Sequence, residues 1–172
     1  MLALASIVFG LMLAAPAPAL KYDAPKDWIS KPPASAMRVA EFSLPKATGD
    51  PEDASLTIYF FGAGQGGNVQ ANIDRWVSQM VQPDGKPSAQ VAKTSKLTAN
   101  GLTITLVDVS GTYVAEVTPG SAERLNKPGF RQRAAVIETA EGPYFIKLVG
   151  PAATVAKWDE SFMTFLRSVK IG

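Results

Sequence analysis

Leu56 to Met80 reads LTIYFFGAGQGGNVQANIDRWVSQM: an apolar run, a glycine-rich turn and an amphipathic segment with no break between them. In the run, Leu56, Ile58 and Phe60 alternate with Thr57, Tyr59 and Phe61, which predicts a strand covered on both faces. After the glycines, Val69, Ile73, Trp76, Val77 and Met80 recur at the spacing of one helical face, and Asn68 is placed to cap the first turn. A strand that turns directly into a helix fixes the middle of the fold, and the flanks can be read outward from it.

Upstream, Met37 to Leu44 is expected as a strand stopped by Pro45, and Lys46 to Asp53 as a turn. Lys21 to Ala36 is proline-rich and polar, an extended lead-in whose Trp28 packs on the domain edge. Downstream, Pro83-Asp84-Gly85-Lys86-Pro87 ends the helix. Strands Ala89–Leu97 and Leu102–Val109 then flank Asn100-Gly101, a strong hairpin signal. Ser110 to Gly129, with Gly111, Pro119, Gly120, Pro128 and Gly129 as breakers, reads as a long loop. A second hairpin, Arg131–Thr139 and Tyr144–Val149, precedes an amphipathic helix over Val155–Val169 with Val155, Trp158, Phe162, Phe165, Leu166 and Val169 on its core face. Hairpins dominate. The expected class is α+β, a mainly antiparallel sheet packed between helices, in one domain spanning 37–172.

Composition narrows the function. The 172 residues carry 47% hydrophobic and 19% charged side chains, enough to bury a core. Lys+Arg 17 against Asp+Glu 15, a net charge of +2, is no nucleic-acid signature. There is no cysteine and no histidine. Disulfides, thiol catalysis, thiolate metal sites and the usual base of a serine triad are thereby excluded. Met1 to Ala19 is apolar, uncharged and ends in Ala-Pro-Ala-Pro-Ala, which reads as a signal peptide cleaved after Ala19. It lacks the positive charge that usually opens a signal peptide, which a wrongly assigned start codon or an uncleaved anchor would explain, and a buried helix is the competing reading. An exported, periplasmic or extracellular protein is expected.

Gly62-x-Gly64-x-x-Gly67 matches the dinucleotide fingerprint literally, but no parallel strand with a terminal acid follows the helix. A tight strand-to-helix turn accounts for the glycines, and the amides of Gly64, Gly66, Gly67 and Asn68 remain a candidate anion site. Arg124, Lys127, Arg131 and Arg133 form a basic cluster in and after the long loop, a candidate surface for an acidic partner or a solvated strand edge. Asp50, Glu52 and Asp53 lack EF-hand spacing and read as a solvated turn. Adjacent Asp159 and Glu160 cannot converge on one substrate atom, and Ser121, Ser161 and Ser168 have no base to activate them. No catalytic, metal-binding or cofactor-binding residue is expected.

The tail from Arg133 to Ile171, with its aromatic second strand Tyr144-Phe145-Ile146-Lys147-Leu148, its break at Gly150-Pro151 and its paired phenylalanines Phe162 and Phe165, resembles the closing unit of the PsbP-like superfamily. That superfamily includes photosystem II extrinsic proteins, a Ran-binding nuclear import factor and many bacterial proteins. Met37–Phe42 and Ile73–Trp76 are similar to an exported bacterial branch. The resemblance implies an antiparallel sheet between helices and a non-enzymatic role in binding or assembly, without a shared catalytic motif. The metal-binding histidines of some relatives have no counterpart here. Two functions are therefore expected in competition. One is a monomeric domain that docks a protein partner, at a membrane surface or free of it. The other is a small-ligand or anion-binding protein using the glycine turn.

Overall fold

The computed structural model describes residues 19–172. The expected leader, residues 1–19, lies outside them except for Ala19. Among the described residues no helix is long and apolar enough to cross a membrane.

Ten strands and three helices follow in order: β1 (Leu20–Lys21), β2 (Ile29–Lys31), β3 (Arg38–Leu44), β4 (Ala54–Phe60), α1 (Val69–Val77), β5 (Met80–Val81), β6 (Lys93–Ala99), β7 (Leu102–Tyr113), β8 (Lys127–Glu138), β9 (Tyr144–Pro151), α2 (Ala152–Lys157), α3 (Asp159–Ser168) and β10 (Lys170–Ile171). All pairings are antiparallel. The 8-stranded sheet runs β2-β3-β4-β9-β8-β7, and the outer edge of β7 is shared by β6 and β5. A separate two-stranded pair joins β1 to β10. The α+β class read from the sequence therefore stands, and so does the closing hairpin followed by terminal helices, but Gly150-Pro151 is no break: β9 runs through both residues, which pair with Arg131 and Phe130 of β8.

Period-two alternation sends each strand's side chains to two different layers. Leu56, Ile58, Ile104, Ile137, Ile146 and Leu148 face α2 and α3, meeting Val155, Phe162, Phe165 and Leu166, all fully buried. Burial of each such side chain is worth about 1.5–3 kcal/mol, so this layer holds the fold together. On the other face α1 lays Ile73, Trp76 and Val77 on Val107, Ala134, Val136 and Phe145. Asn68 caps α1 as expected, accepting from Gln70 N at 2.7 Å and Ala71 N at 3.4 Å. Asn100 and Gly101 turn with positive φ, and the Asn100 amide donates to the carbonyls of Arg167 and Val169, tying the hairpin to the end of α3.

Three further expectations need correction. The lead-in is part of the packed unit: β2 pairs with β3, and Trp28 is buried against Phe42 and Phe165. The long loop is shorter than its breakers imply, because β7 continues through Gly111 to Tyr113 and β8 begins at Lys127, before Pro128 and Gly129. The terminal helix is two helices. It breaks at Trp158, whose indole Nε1 donates to Pro45 O at 2.9 Å and turns the chain there.

Candidate functional site

α1 covers only part of its face of the sheet. Beyond its C-terminal end, between the bare β3–β4 region and the 114–126 loop, lies a cleft of about 430 Å³. Its apolar wall is Tyr59, Phe61, Trp76 and Phe145, and its rim is Val117 and Pro119. Four cationic side chains line it, Arg38, Arg75, Arg124 and Lys147, against one carboxylate, Glu116.

These cations differ in how far their charge is already spent. Arg38 pairs with Glu41 at 2.9 Å and lies over the Tyr59 ring. Arg124 pairs with Glu116 at 3.4 Å and remains largely exposed. Among the described residues, Arg75 and Lys147 have no carboxylate at ion-pair distance. Lys147 projects from β9, a central strand, and its Nζ donates to Gln79 Oε1 and to Tyr113 Oη (2.9 Å). Burial, followed by the nearby positive charge of Arg75, pushes the Lys147 amine down from 10.5 to about 7. The same burial, helped by Tyr59, pushes the Tyr113 phenol up to about 12. The floor of the cleft thus holds a lysine that changes charge near neutral pH beside a phenol that keeps its proton.

The glycine turn serves this site from a distance. Gly66 has φ +89, and a Cβ there would stand 2.6 Å from the Phe145 ring. Its carbonyl accepts from the Asn72 amide at 2.7 Å, and Asn72 Oδ1 accepts from Arg75 at 2.7 Å. Buried Gln132 completes the anchoring by donating to Trp76 O at 3.1 Å. Turn, Asn72 and Gln132 together set where Arg75 lies. Gly66→Ala should cost about 2 kcal/mol through backbone strain and displacement of Phe145. Chemical denaturation would measure the loss, and an unchanged midpoint would refute the packing role.

The sequence candidates separate into different places. Gly64, Gly66, Gly67 and Asn68 form the turn before α1, where the Asn68 side chain already takes two of the helix's first amides. The basic cluster is not one surface. Arg124 lines the cleft, while Lys127, at the start of β8, is held by Glu52 at 2.6 Å and lies over the Phe130 ring. Arg131 and Arg133 point to the α3 layer. There Arg131 binds Asp108 through two nitrogens at 2.9 and 2.6 Å and Asp159 at 2.9 Å, and Arg133 binds Asp159 at 2.7 Å. Asp108 and then Asp159 raise the Arg131 pKa further above its already high value. Of the turn carboxylates, Asp50 accepts from Thr154 N, Asp53 accepts from Ser43 Oγ and Lys46 N, and Glu52 takes Lys127. Among the described residues no group of three or more acidic side chains could hold a metal ion.

An antiparallel α+β sandwich with a basic, aromatic cleft on one face is the class that these observations define. No protein-family model matches the sequence, and no curated protein does. Solved structures match its fold. LpqN of Mycobacterium tuberculosis, involved in cell envelope biogenesis, superposes with a TM-score of 0.52 at 13% identity, over 92% of this chain and 87% of that one. Cyanobacterial PsbP (CyanoP) from Synechocystis gives 0.49 at 11% identity, over 95% of this chain and 99% of that one. A Pseudomonas aeruginosa protein of unknown function, a putative regulator, gives 0.48 at 13%, over 87% and 94%. At such identities the likeness is one of fold, and it rests on the LpqN superposition.

Proposed function

We propose that the protein is an exported, non-enzymatic binding domain that receives a small anionic ligand in the cleft around Lys147. One observation carries this reading: Arg75 and Lys147 face an open, aromatic-walled cleft of ligand size with no carboxylate partner of their own among the described residues. Uncompensated cations held by packing favour an anion that the protein does not itself supply. Export rests on the apolar segment ending at Ala19. The anion-binding role is thus drawn from the cleft and no longer from the amides of the glycine turn.

The test is a titration with phosphate, citrate and indole-3-acetate, followed by amide NMR shifts. Resonances of cleft residues should move with at least one of them. Arg75→Glu with Arg124→Glu should weaken that binding at least about tenfold, two charges having been reversed, with the melting temperature little changed. No movement at the cleft, or unaltered affinity in the double variant, would refute the reading. Docking of a protein partner is the second reading, favoured by the rim: Val117 is 45% exposed beside Arg124 on the 114–126 loop. An acidic peptide that binds the cleft where small anions fail would select it.

A further inference from the structure

We infer that the ligand is an organic acid with a single carboxylate on an apolar or aromatic body, and that Lys147 is the residue that anchors the carboxylate. This rests on the cleft being the binding site.

Donor arithmetic decides the anion. A lysine ammonium has three N–H donors. Lys147 commits two of them, to Gln79 and Tyr113, and has one left for a ligand. Arg75 gives one nitrogen to Asn72 and keeps the remainder of its guanidinium free. One lysine N–H and one guanidinium edge match the two oxygens of a carboxylate. A phosphate, with more oxygens and up to two charges, exceeds what this one pair of donors offers. The body of the ligand is specified by the wall. Tyr59, Phe61, Trp76 and Phe145 offer aromatic carbon beside the amine, with the Tyr59 hydroxyl and the Trp76 indole N–H as their only polar atoms.

The pairing makes binding depend on proton concentration. The charged or titratable groups facing Lys147 are Tyr59 on β4, Tyr113 on β7, Arg75 on α1, Arg38 on β3, and Glu116 and Arg124 on the 114–126 loop. On β8, Ala134 pairs with Lys147, and Gln132 and Val136 lie on the same face, none of them titratable. Of these, the lysine amine is the group that burial brings to about 7. A carboxylate selects the charged amine, so binding takes up a proton above neutrality. Affinity should then fall roughly tenfold per pH unit above about 7, until the pKa of the occupied lysine is reached.

Indole-3-acetate and indole-3-acetamide share a body and differ in the carboxylate, so they are the probes. At pH 6 the acid should bind the intact domain at least tenfold more tightly than the amide. That preference should shrink severalfold in Lys147→Met, which keeps the length of the side chain and leaves only the Arg75 edge for the carboxylate. A wild-type titration at pH 6 and pH 9 keeps the test independent of that variant's folding, and the acid's affinity should be the weaker at pH 9. Equal binding of acid and amide would overturn the inference, as would a preference undiminished in Lys147→Met or a pH-independent affinity. If in that case phosphate or citrate still binds and is lost on reversing Arg75 and Arg124, the anion cleft stands and only the anchor and ligand class fall. If no anion moves the cleft, both fall.

Discussion

Asp108→Asn should lower the stability of the protein by about 3 kcal/mol, since it leaves two largely desolvated guanidinium groups with one carboxylate between them. Asp108 takes a two-point bond from Arg131, and the Arg133 guanidinium Nε lies 3.8 Å away. The side chains of Arg131 and Arg133 are only 19% and 13% exposed. Without Asp108 both would depend on Asp159 alone. The amide that replaces the carboxylate can accept only at one atom and turns N–H groups toward the cations. Arg131→Gln placed in the same chain should recover part of the loss, because it removes the stranded charge. Urea denaturation of the two single variants and the double variant measures this coupling. Strict additivity would show that the four charges do not act as a unit.

Lys147→Met should stabilise the ligand-free protein at pH 6 by about 2–3 kcal/mol. A fall in pKa from 10.5 to about 7 corresponds to almost 5 kcal/mol at about 1.4 per tenfold, and partial exposure of the amine reduces it. The sign follows from proton counting. Between pH 7 and 10.5 the unfolded chain holds the proton and the folded chain does not, so wild-type stability rises with pH through that window and is lost as pH falls toward 7. With no histidine or cysteine in the chain, few other groups obscure the effect. The melting temperature of the wild type should therefore rise by several degrees from pH 6 to pH 9, while that of Lys147→Met stays level. A wild-type profile as flat as the variant's would show that the amine is not held in its neutral form.

Much of this architecture was legible because local pattern and tertiary role coincide. Val155, Phe162, Phe165 and Leu166 fall on one helical face and are fully buried, and Asn100-Gly101 makes the hairpin that its composition demands. The breakers misled where a strand needed them for a reason that only the neighbouring chain reveals. Gly111 reads as a loop residue, yet it lies inside β7 where a Cβ would come 2.6 Å from Val81 O, so glycine is what lets β5 pair there. The site was the least legible part. Its cations come from β3, α1, the 114–126 loop and β9, far apart in the chain, and only sheet order brings them together. One signal was present: Lys147 is a lone charge in the otherwise apolar run Tyr144–Val149 of a central strand. The basic cluster failed for the opposite reason. Arg131 and Arg133 are adjacent to Lys127 and Arg124 in sequence, but their charge is consumed by Asp108 and Asp159 on the other face.

The middle of the sheet is closed by β4 against β9, strands from opposite ends of the described chain. A chain made from its amino end can form the β2-β3-β4 meander early, but the free edge of β4, with Leu56 and Ile58, must wait for Tyr144–Pro151 to be synthesised. Pairings of such long sequence separation are slow, on the order of milliseconds to seconds, and an unpaired apolar edge is open to the wrong neighbour meanwhile. Whatever escorts the nascent chain has that one strand to shield, and the interval ends when β9 slides between β4 and β8.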